Sequence, residues 1–323
     1  MNLKSIIKLT AKDMEAVNKI ILNQLNSDIH LINQLGNYII SSGGKKIRPM
    51  IAILIGKALR YKGENHINIA ALVEFIHTAT LLHDDVIDKS LLRRGKRTAN
   101  AIFGNAASVL VGDFIYTKSF QMMTELNSLP ILKLMSDATN IIAEGEILQL
   151  INCNNPNITE NTYMQIIYSK TARLFEATTH ASAIVSGAND TQQQALRNYG
   201  RYLGTAFQLI DDLMDYDSNS STFGKNIGDD LNEGKLTLPL LHAMENGTKE
   251  ESKLIRNLIK KGNGRNLLDI ILITMKRCGS LEYTKKRAKE EADKAIKALD
   301  ILSDTSYKDA LISLVYISIQ HTS

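Results

Sequence analysis

The sequence contains no tryptophan, four prolines and two cysteines, and each shortage narrows the possible folds. So few prolines in 323 residues leave long segments able to form helices, and no Pro-, Gly- or Ser-rich linker divides the chain. An aromatic content of 6% beside a hydrophobic content of 44% indicates an aliphatic core between helices. We therefore expect an all-α protein in which residues 1–323 form a single domain.

Other absences bear on location and partners. Cys153 and Cys278 lack the spacing of a metal site, and so few cysteines fit a reducing compartment. No stretch reaches the roughly 18 uncharged apolar residues of a membrane span, and the N-terminus lacks the apolar core of a signal peptide. The net charge of +4 comes from scattered basic residues, whereas nucleic-acid binding favours a concentrated basic face. We expect a cytoplasmic protein with no integral membrane segment and no nucleic-acid partner.

Apolar residues recur at intervals of three and four along most of the chain, which predicts amphipathic or buried helices. In the first half the pattern predicts helices over residues 10–25, 29–40, 50–60, 65–88, 106–123 and 130–150. In the second half it predicts helices near 236–246, 250–261, 265–277, 280–302 and 307–320. Thr159 follows a polar loop and is a plausible N-cap for a further helix.

Three aspartates, Asp84, Asp85 and Asp88, directly follow an apolar helical run. In a helix, Asp84 and Asp88 share a face, which places like charges about 5–6 Å apart and is unfavourable without compensation. Mg2+ is a suitable compensating ion, because it binds one or two carboxylates together with water and the oxygens of a substrate phosphate. Arg93 and Arg94 follow closely and can pair with phosphate through a planar fork. The pattern indicates a site for a phosphorylated substrate.

The same pattern returns at Asp211, Asp212 and Asp215 after a second apolar run. A single Asp-Asp-x-x-Asp is also compatible with a solvated helix face or a turn. Two copies favour function, because each lies beside residues expected to be buried and an unpaired buried carboxylate is costly. We expect the two clusters to face each other across the central cavity of one helical bundle, where they would hold several cations around one polyphosphate.

The segment 41–49 supplies basic residues at a predicted helix start. Its paired glycines end the preceding helix, and Pro49 suits the first turn of the next one. Lys45 and Arg48 then lie at a helix entrance, where the positive end of the helix dipole favours an anion. A basic turn between helices is an equally good interpretation of this segment alone.

Further candidate ligands lie elsewhere in the chain. His77 precedes Asp84 by about two turns and is either a phosphate ligand or a satisfied core residue. Lys170 and Thr171 place a cation and a hydroxyl in an otherwise apolar helix. Lys225 and Lys235 border a glycine-rich loop, so they would reach a phosphate if the loop closed; a solvent-exposed turn is the alternative.

These motifs resemble those of the trans-type isoprenyl diphosphate synthases, and the likeness covers nearly the whole chain. The matching blocks are residues 43–49, 83–88, 92–95, 170–171, 208–215 and 224–225. The resemblance implies an all-helical isoprenoid synthase fold (the class I terpenoid synthase bundle around a central cavity) and a homodimer. It also implies dependence on Mg2+, with about three ions when diphosphate is bound.

The resemblance assigns roles to the candidate residues. It implies that Asp84, Asp88 and Asp211 bind Mg2+, while Asp85, Asp212 and Asp215 support them. It implies that the allylic diphosphate contacts Arg93, Lys170, Thr171, Gln208, Lys225 and Lys235, and that the diphosphate of isopentenyl diphosphate contacts Lys45, Arg48, His77 and Arg94.

The growing prenyl chain is expected to run from the metal site between apolar helices until a bulky side chain stops it. Short-chain members of the family often carry an aromatic plug at the positions that Ala79 and Thr80 occupy here, so the upper tunnel is open. Met122, Met123 and Met135 are candidates for a deeper floor. The whole-chain pattern resembles the bacterial octaprenyl diphosphate synthases, which implies elongation of farnesyl diphosphate to about octaprenyl diphosphate for quinone side chains, with the product passed to a membrane. A medium-chain synthase, from geranylgeranyl to heptaprenyl, is the alternative.

Two functions of other classes compete with this interpretation. A metal-dependent phosphohydrolase built on a His-Asp dipeptide would use His83 and Asp84, with His66 or His77, but leaves the second aspartate cluster and residues 43–49 without a role. A non-catalytic partner subunit would keep the fold, but such subunits typically lose carboxylates from these clusters, and all six are present here.

Overall fold

The computed structural model describes residues 1–93, 95–217, 227–262 and 264–320, and it confirms the predicted all-α class. The first helices are α1 (Leu3–Leu25), α2 (His30–Ser42), α3 (Ile47–Ala58), α4 (Asn65–Ile87), α5 (Ala99–Phe103), α6 (Asn105–Glu125), α7 (Leu129–Asn152) and α8 (Glu160–Ile167). A π-helical segment, Tyr168–Ala172, joins α8 to α9 (Arg173–Val185). The remaining helices are α10 (Asp190–Met214), α11 (Asp229–Asn232), α12 (Leu238–Asn246), α13 (Lys249–Lys261), α14 (Leu268–Cys278), α15 (Ser280–Ala298) and α16 (Ser306–Ile319).

Short 3-10 segments, Gly264–Leu267 and Leu299–Ile301, adjoin α14 and α15. A small antiparallel hairpin follows α4, with Leu92–Arg93 (β1) paired to Lys96–Arg97 (β2). Within the described residues, no helix combines the length and the apolarity needed to cross a bilayer.

Some helix ends follow from local sequence. The Thr159 side chain accepts a hydrogen bond from the Thr162 backbone N–H at 3.1 Å, which confirms it as the N-cap of α8. Gly43 ends α2 with a φ of +69°, a conformation that glycine adopts without strain. The predicted start of the first helix near residue 10 is wrong, because α1 begins at Leu3, where the Asn2 side chain caps the helix.

The chain divides into two compact units, each assembled from separate segments. The first unit contains Met1–Thr139, Leu174–Gly200 and Ala298–Leu314. Its α4 packs against α1, α3 and α6. Helix α3 is almost entirely buried, because its side chains are apolar on nearly all sides. Small residues bring α6 close to α4: the Ser108 hydroxyl donates to the Leu82 carbonyl at 3.1 Å, and Gly112 lies against the Nε2–Cδ2 edge of the His83 ring.

The second unit contains Asn140–Arg173, Arg201–Lys297 and the chain from Val315 onward. Its core joins apolar residues of α10, α12, α13 and α14, among them Leu209, Leu240, Ile255 and Ile271. Tyr163 of α8 and Tyr216, just beyond α10, are buried in the same core. The organisation of residues 1–323 as a single domain stays a prediction.

His66 is a buried histidine in the first turn of α4. Its ring lies edge-on to Tyr61, with the ring centroids 5.7 Å apart, and neither ring nitrogen has a hydrogen-bond partner within the described residues. Burial lowers the pKa of His66, and the nearby Asp13 carboxylate offsets part of that effect. The neutral imidazole is therefore the form that the fold accommodates.

We expect His66 to make stability fall as the solution becomes acidic. Because its pKa is lower in the folded than in the unfolded chain, the unfolded chain binds more protons as pH falls through the ordinary histidine value near 6.5, and the free energy of unfolding decreases there. Urea unfolding between pH 8 and pH 5 measures this slope. His66→Phe should flatten it, whereas His30→Gln at an exposed histidine should not. Equal slopes in the wild type and in His66→Phe would contradict the assignment.

Candidate active site

The first aspartate trio lies at the end of α4. The Asp88 backbone N–H donates to the Asp84 carbonyl at 2.8 Å, so these two residues occupy consecutive turns on one helix face, and both are half-buried. Asp85 is buried, and its Oδ1 accepts hydrogen bonds from Arg93 Nε at 2.9 Å and from an Arg93 terminal nitrogen at 2.8 Å. The trio thus divides into a pair on one face and a third carboxylate neutralised by an arginine.

The hairpin after α4 holds Arg93 in place. Arg93 lies on β1, and the segment leading to it is fastened by Asn100, whose side-chain amide donates to the Asp85 carbonyl at 3.2 Å. The Thr98 hydroxyl donates to the Ser90 carbonyl at 2.7 Å. Burial raises the pKa of Asp85, and the hydrogen bond and charge of Arg93 offset part of this rise. Arg93 therefore stabilises the ionised form of a buried carboxylate.

The second trio has two members with protein partners, Asp212 and Asp215. Asp212 is buried, with Oδ2 accepting from the Tyr163 hydroxyl at 2.5 Å and Oδ1 accepting from Gln208 Nε2 at 2.7 Å. Burial raises the pKa of Asp212, and the neighbouring Asp230 carboxylate adds to the rise. Asp211, at the preceding position on α10, is exposed.

Asp215 caps the short helix α11. Its Oδ1 accepts from the Asp229 backbone N–H at 3.2 Å, and its Oδ2 accepts from the Asp230 backbone N–H at 3.0 Å. These donors are the first N–H groups of α11, where a negative side chain is favoured. Asp215 thereby connects the end of α10 to the segment that leads to Lys235.

Within the residues that the structure describes, no three His, Cys, Asp or Glu side chains form a metal-binding cluster by themselves. Proteins bind Mg2+ through one or two carboxylates plus the oxygens of a phosphorylated substrate. Asp84 and Asp88 supply such a pair of hard oxygen ligands on one helix face, so the donor set fits Mg2+. The two trios belong to different units, and their convergence on one cavity stays a prediction.

The π-helical segment carries Lys170 and Thr171. The Lys170 ammonium lies 2.7 Å from Glu146 Oε2 and 2.7 Å from Gln149 Oε1, both on α7. The Thr171 hydroxyl donates at 2.7 Å to Gln208 Oε1. A π-helical turn contains an extra residue, which turns neighbouring side chains toward different helices, and such turns occur frequently at functional sites.

Gly145 of α7 makes room for this segment. A Cβ atom added to Gly145 would lie 2.7 Å from Ser169 Cβ and 2.9 Å from the Lys170 backbone nitrogen. No side chain fits there without displacement of the segment that carries Lys170.

The predicted ligands of isopentenyl diphosphate lie in the first unit. Lys45 is exposed just before α3, and Arg48 lies in its first turn with the guanidinium carbon 4.2 Å from the centroid of the Phe175 ring. His77 is half-buried on α4, seven residues before Asp84, so it lies about 10 Å along the axis on nearly the same face. Because α3 packs against α4, these residues belong to neighbouring helices.

The remaining predicted residues are distributed as follows. Lys235 Nζ forms an ion pair with Glu233 Oε2 at 2.7 Å. Arg94 and Lys225 lie outside the described residues, as does most of the glycine-rich loop before residue 227. Ala79 is buried and Thr80 half-buried on α4, and the methionines proposed as a tunnel floor (Met122, Met123 and Met135) are buried in the first unit. Their role as a floor stays a prediction.

Two histidines of the competing phosphohydrolase interpretation, His66 and His83, have their surroundings elsewhere than at Asp84. His66 lies in the first turn of α4 and Asp84 in its last turn, 18 residues or about 27 Å away along the axis. The His83 ring turns to α6, where Nε2 lies 3.3 Å from Asp113 Oδ1 and 3.3 Å from the Val109 carbonyl oxygen.

Residues 29–270 match the protein-family model described as polyprenyl synthetase. The chain belongs to the polyprenyl synthetase family. Octaprenyl diphosphate synthase from Escherichia coli (strain K12) is 63% identical over 320 residues, covering 99% of both chains. Octaprenyl diphosphate synthase from Haemophilus influenzae is 57% identical over 319 residues, covering 99% of this chain and 97% of that protein.

The fold is also that of solved polyprenyl synthases. A polyprenyl synthase from Caulobacter crescentus CB15, crystallised with calcium and isoprenyl diphosphate, matches with a TM-score of 0.95 at 38% identity over 100% of this chain and 98% of that one. The family, the isoprenoid synthase fold and the prenyltransferase class predicted from the motifs are therefore confirmed.

Several residues that hold this polyprenyl synthetase site together are not singled out by the sequence motifs. Tyr163, Glu146 and Gln149 contact motif residues that lie 21 to 49 positions away in the chain. Gly145 is directly adjacent to Glu146, and a glycine inside an apolar helical pattern is a signal of close packing that the sequence does contain.

Gly145→Ala is expected to lower both stability and activity. At an ordinary helix position this change stabilises by about 1 kcal/mol, but here the new methyl overlaps the backbone at Lys170, and overpacking of this kind costs about 1–3 kcal/mol. A shift of the π-helical segment by about 1 Å is expected to reduce kcat/KM about 10²-fold. Chemical unfolding and steady-state kinetics measure the two effects. Wild-type stability and kcat/KM in this variant would show that the close approach has no consequence.

Proposed function

We propose that this protein is a long-chain trans-prenyltransferase that adds successive isopentenyl diphosphate units to an allylic diphosphate, farnesyl diphosphate by preference, up to about octaprenyl diphosphate. The observation that carries the proposal is the complete set of six carboxylates at the ends of α4 and α10 in a polyprenyl synthetase chain. The identity with two octaprenyl diphosphate synthases over nearly the full length supports the long product.

The proposed metal ligands are Asp84, Asp88 and Asp211, with Mg2+ as the metal and about three ions when diphosphate is bound. Asp85, Asp212 and Asp215 hold protein partners, which fits a supporting role for these three carboxylates. Bound Mg2+ would supply neutralisation of the charge that develops on the departing diphosphate. The calcium and isoprenyl diphosphate in the Caulobacter crescentus enzyme support a metal and diphosphate site of this type.

The basic and hydroxyl side chains are proposed to bind the two substrates. Arg93, Lys170, Thr171, Gln208, Lys225 and Lys235 would bind the allylic diphosphate, and Lys45, Arg48, His77 and Arg94 would bind isopentenyl diphosphate. Cations fixed around the departing pyrophosphate lower the barrier to breaking the allylic carbon–oxygen bond. The double bond of isopentenyl diphosphate then attacks the allylic carbon, and a proton lost to pyrophosphate restores an alkene. Apolar helix faces exclude the water that would otherwise trap the cation.

The small side chain at Ala79 supports a long product. It is buried on α4, five residues before the first aspartate proposed to bind metal. An aromatic side chain at this position would end elongation while the prenyl chain is still short. An octaprenyl product is strongly amphiphilic, so we propose that it passes to a membrane, where its prenyl group is transferred to a quinone ring. A medium-chain product, up to heptaprenyl, remains the second candidate on the same enzyme.

We further propose a cytoplasmic homodimer. Support for a dimer comes from apolar side chains on α7, where Ile147, Leu150 and Ile151 form an exposed stripe at helical spacing. A monomer mass in sedimentation velocity would contradict the proposed dimer.

The cytoplasmic location is supported by Cys153 and Cys278, neither of which forms a disulfide.

Asp84→Asn is expected to reduce turnover about 10²-fold or more without loss of fold, because it removes a metal-binding charge from a half-buried helix face. The assay follows pyrophosphate release from farnesyl and isopentenyl diphosphates with Mg2+, and helical circular dichroism checks the fold. Asp137→Asn, at an exposed aspartate on α7, is the matched control. Near-normal activity of Asp84→Asn would remove Asp84 from the site, and release of free phosphate by the wild type would favour a phosphohydrolase.

Ala79→Tyr is expected to shorten the product while turnover continues, because the ring plugs the tunnel without touching the metal ligands. Mass spectrometry of the prenyl products measures the change. Asn68 lies on the same helix, about 16 Å farther from Asp84 than Ala79 does, so Asn68→Tyr should leave the product length unchanged. A thermal unfolding scan shows whether the larger side chain is accommodated. An unchanged product from a folded Ala79→Tyr variant would contradict the tunnel assignment.

A further inference from the structure

Lys170 is held by two side chains that none of the sequence motifs includes. Its ammonium donates to Glu146 Oε2 and to Gln149 Oε1, each at 2.7 Å, and only about a fifth of the lysine and of the glutamate side chain is exposed (22% and 23%). Both acceptors lie on α7, three residues apart, so they present neighbouring oxygen atoms on one helix face.

This arrangement fixes where the ammonium points. A lysine ammonium has three N–H donors in fixed tetrahedral directions. Once Glu146 and Gln149 accept two of them, the direction of the third is determined. The same contacts restrain the flexible four-carbon stem, which loses much rotamer freedom whenever its end is held.

The backbone around Lys170 is placed just as tightly. Gly145 allows the π-helical segment to pack directly on α7, with Lys170 N only 2.9 Å from the position of an added Cβ. On the other side of the segment, the chain of hydrogen bonds from Thr171 to Gln208 to Asp212 ties it to α10, and Tyr163 completes that chain. Both the backbone and the side-chain end of Lys170 are therefore fixed by protein contacts.

We propose that Glu146, together with Gln149, is a positioning residue that aims the Lys170 ammonium at the allylic diphosphate. This inference rests on the proposed function, since it takes Lys170 as a diphosphate ligand. A lysine aimed before the substrate binds stabilises the charge of the departing pyrophosphate without further reorganisation. The acceptor geometry of Glu146 is what matters for aiming, whereas its negative charge opposes binding of an anion nearby.

The test separates geometry from charge. Glu146→Gln keeps an acceptor oxygen at the same distance, so it should retain kcat within about threefold. Glu146→Ala removes the acceptor and should lower kcat by about tenfold, the effect of one hydrogen bond to a charged group. In a Lys170→Ala background, Glu146→Ala should have no further effect on kcat, because there is no ammonium left to aim. Glu144→Ala, at an exposed position on the same helix, is the control.

Calorimetric binding of inorganic pyrophosphate with Mg2+ gives a readout that does not depend on turnover. Glu146→Gln should bind pyrophosphate at least as tightly as the wild type, because a like charge has been removed. If the wild type binds no pyrophosphate, the proposed function fails. Two results would overturn the positioning role in a wild type that does bind pyrophosphate. The first is a wild-type kcat in Glu146→Ala. The second is a loss of kcat on adding Glu146→Ala to Lys170→Ala that equals the loss in the wild-type background.

Discussion

Like-charge repulsion among aspartates is the constraint on which this site depends. Each trio places three carboxylates within two helical turns at the end of α4 or α10, and like charges so close together are destabilising unless they are compensated. The fold supplies partners for Asp85 through Arg93, for Asp212 through Tyr163 and Gln208, and for Asp215 through backbone N–H groups of α11. The metal ions proposed at Asp84, Asp88 and Asp211 would compensate carboxylate charge further when diphosphate is bound.

The protein partners do more than neutralise charge, because each one fixes a part of the site. Arg93 draws the hairpin β1–β2 against the end of α4. Asp215 holds α11 against the end of α10, and α11 leads directly to Lys235. Through Gln208, Asp212 is connected to the segment that carries Lys170 and Thr171. Within each unit, the supporting carboxylates thus fix segments that carry proposed substrate-binding side chains.

Much of the fold follows from local sequence, and the parts that do not are those set by distant contacts. Helix α4 agrees with its predicted bounds within one residue, because its apolar spacing and its aspartate-rich end are both local signals. The strands β1 and β2 are too short to produce a pattern, and the π-helical segment packs closely on Gly145, which lies in another helix. The motifs identify the six aspartates, and the family resemblance assigns them roles, but the contact between Asp212 and Tyr163 arises only in the tertiary fold. The contact of Glu146 with Lys170 is recognised only in the structure, because the two residues are distant in the sequence.

The location of the metal ions tests the division of the aspartates most directly. Crystals grown with Mn2+ and inorganic pyrophosphate allow the ions to be placed by anomalous scattering. We predict peaks beside the carboxylates of Asp84, Asp88 and Asp211, with Asp85, Asp212 and Asp215 still on their protein partners. Ions bound by the latter three in place of the former, or pyrophosphate bound with no metal at these aspartates, would contradict the account.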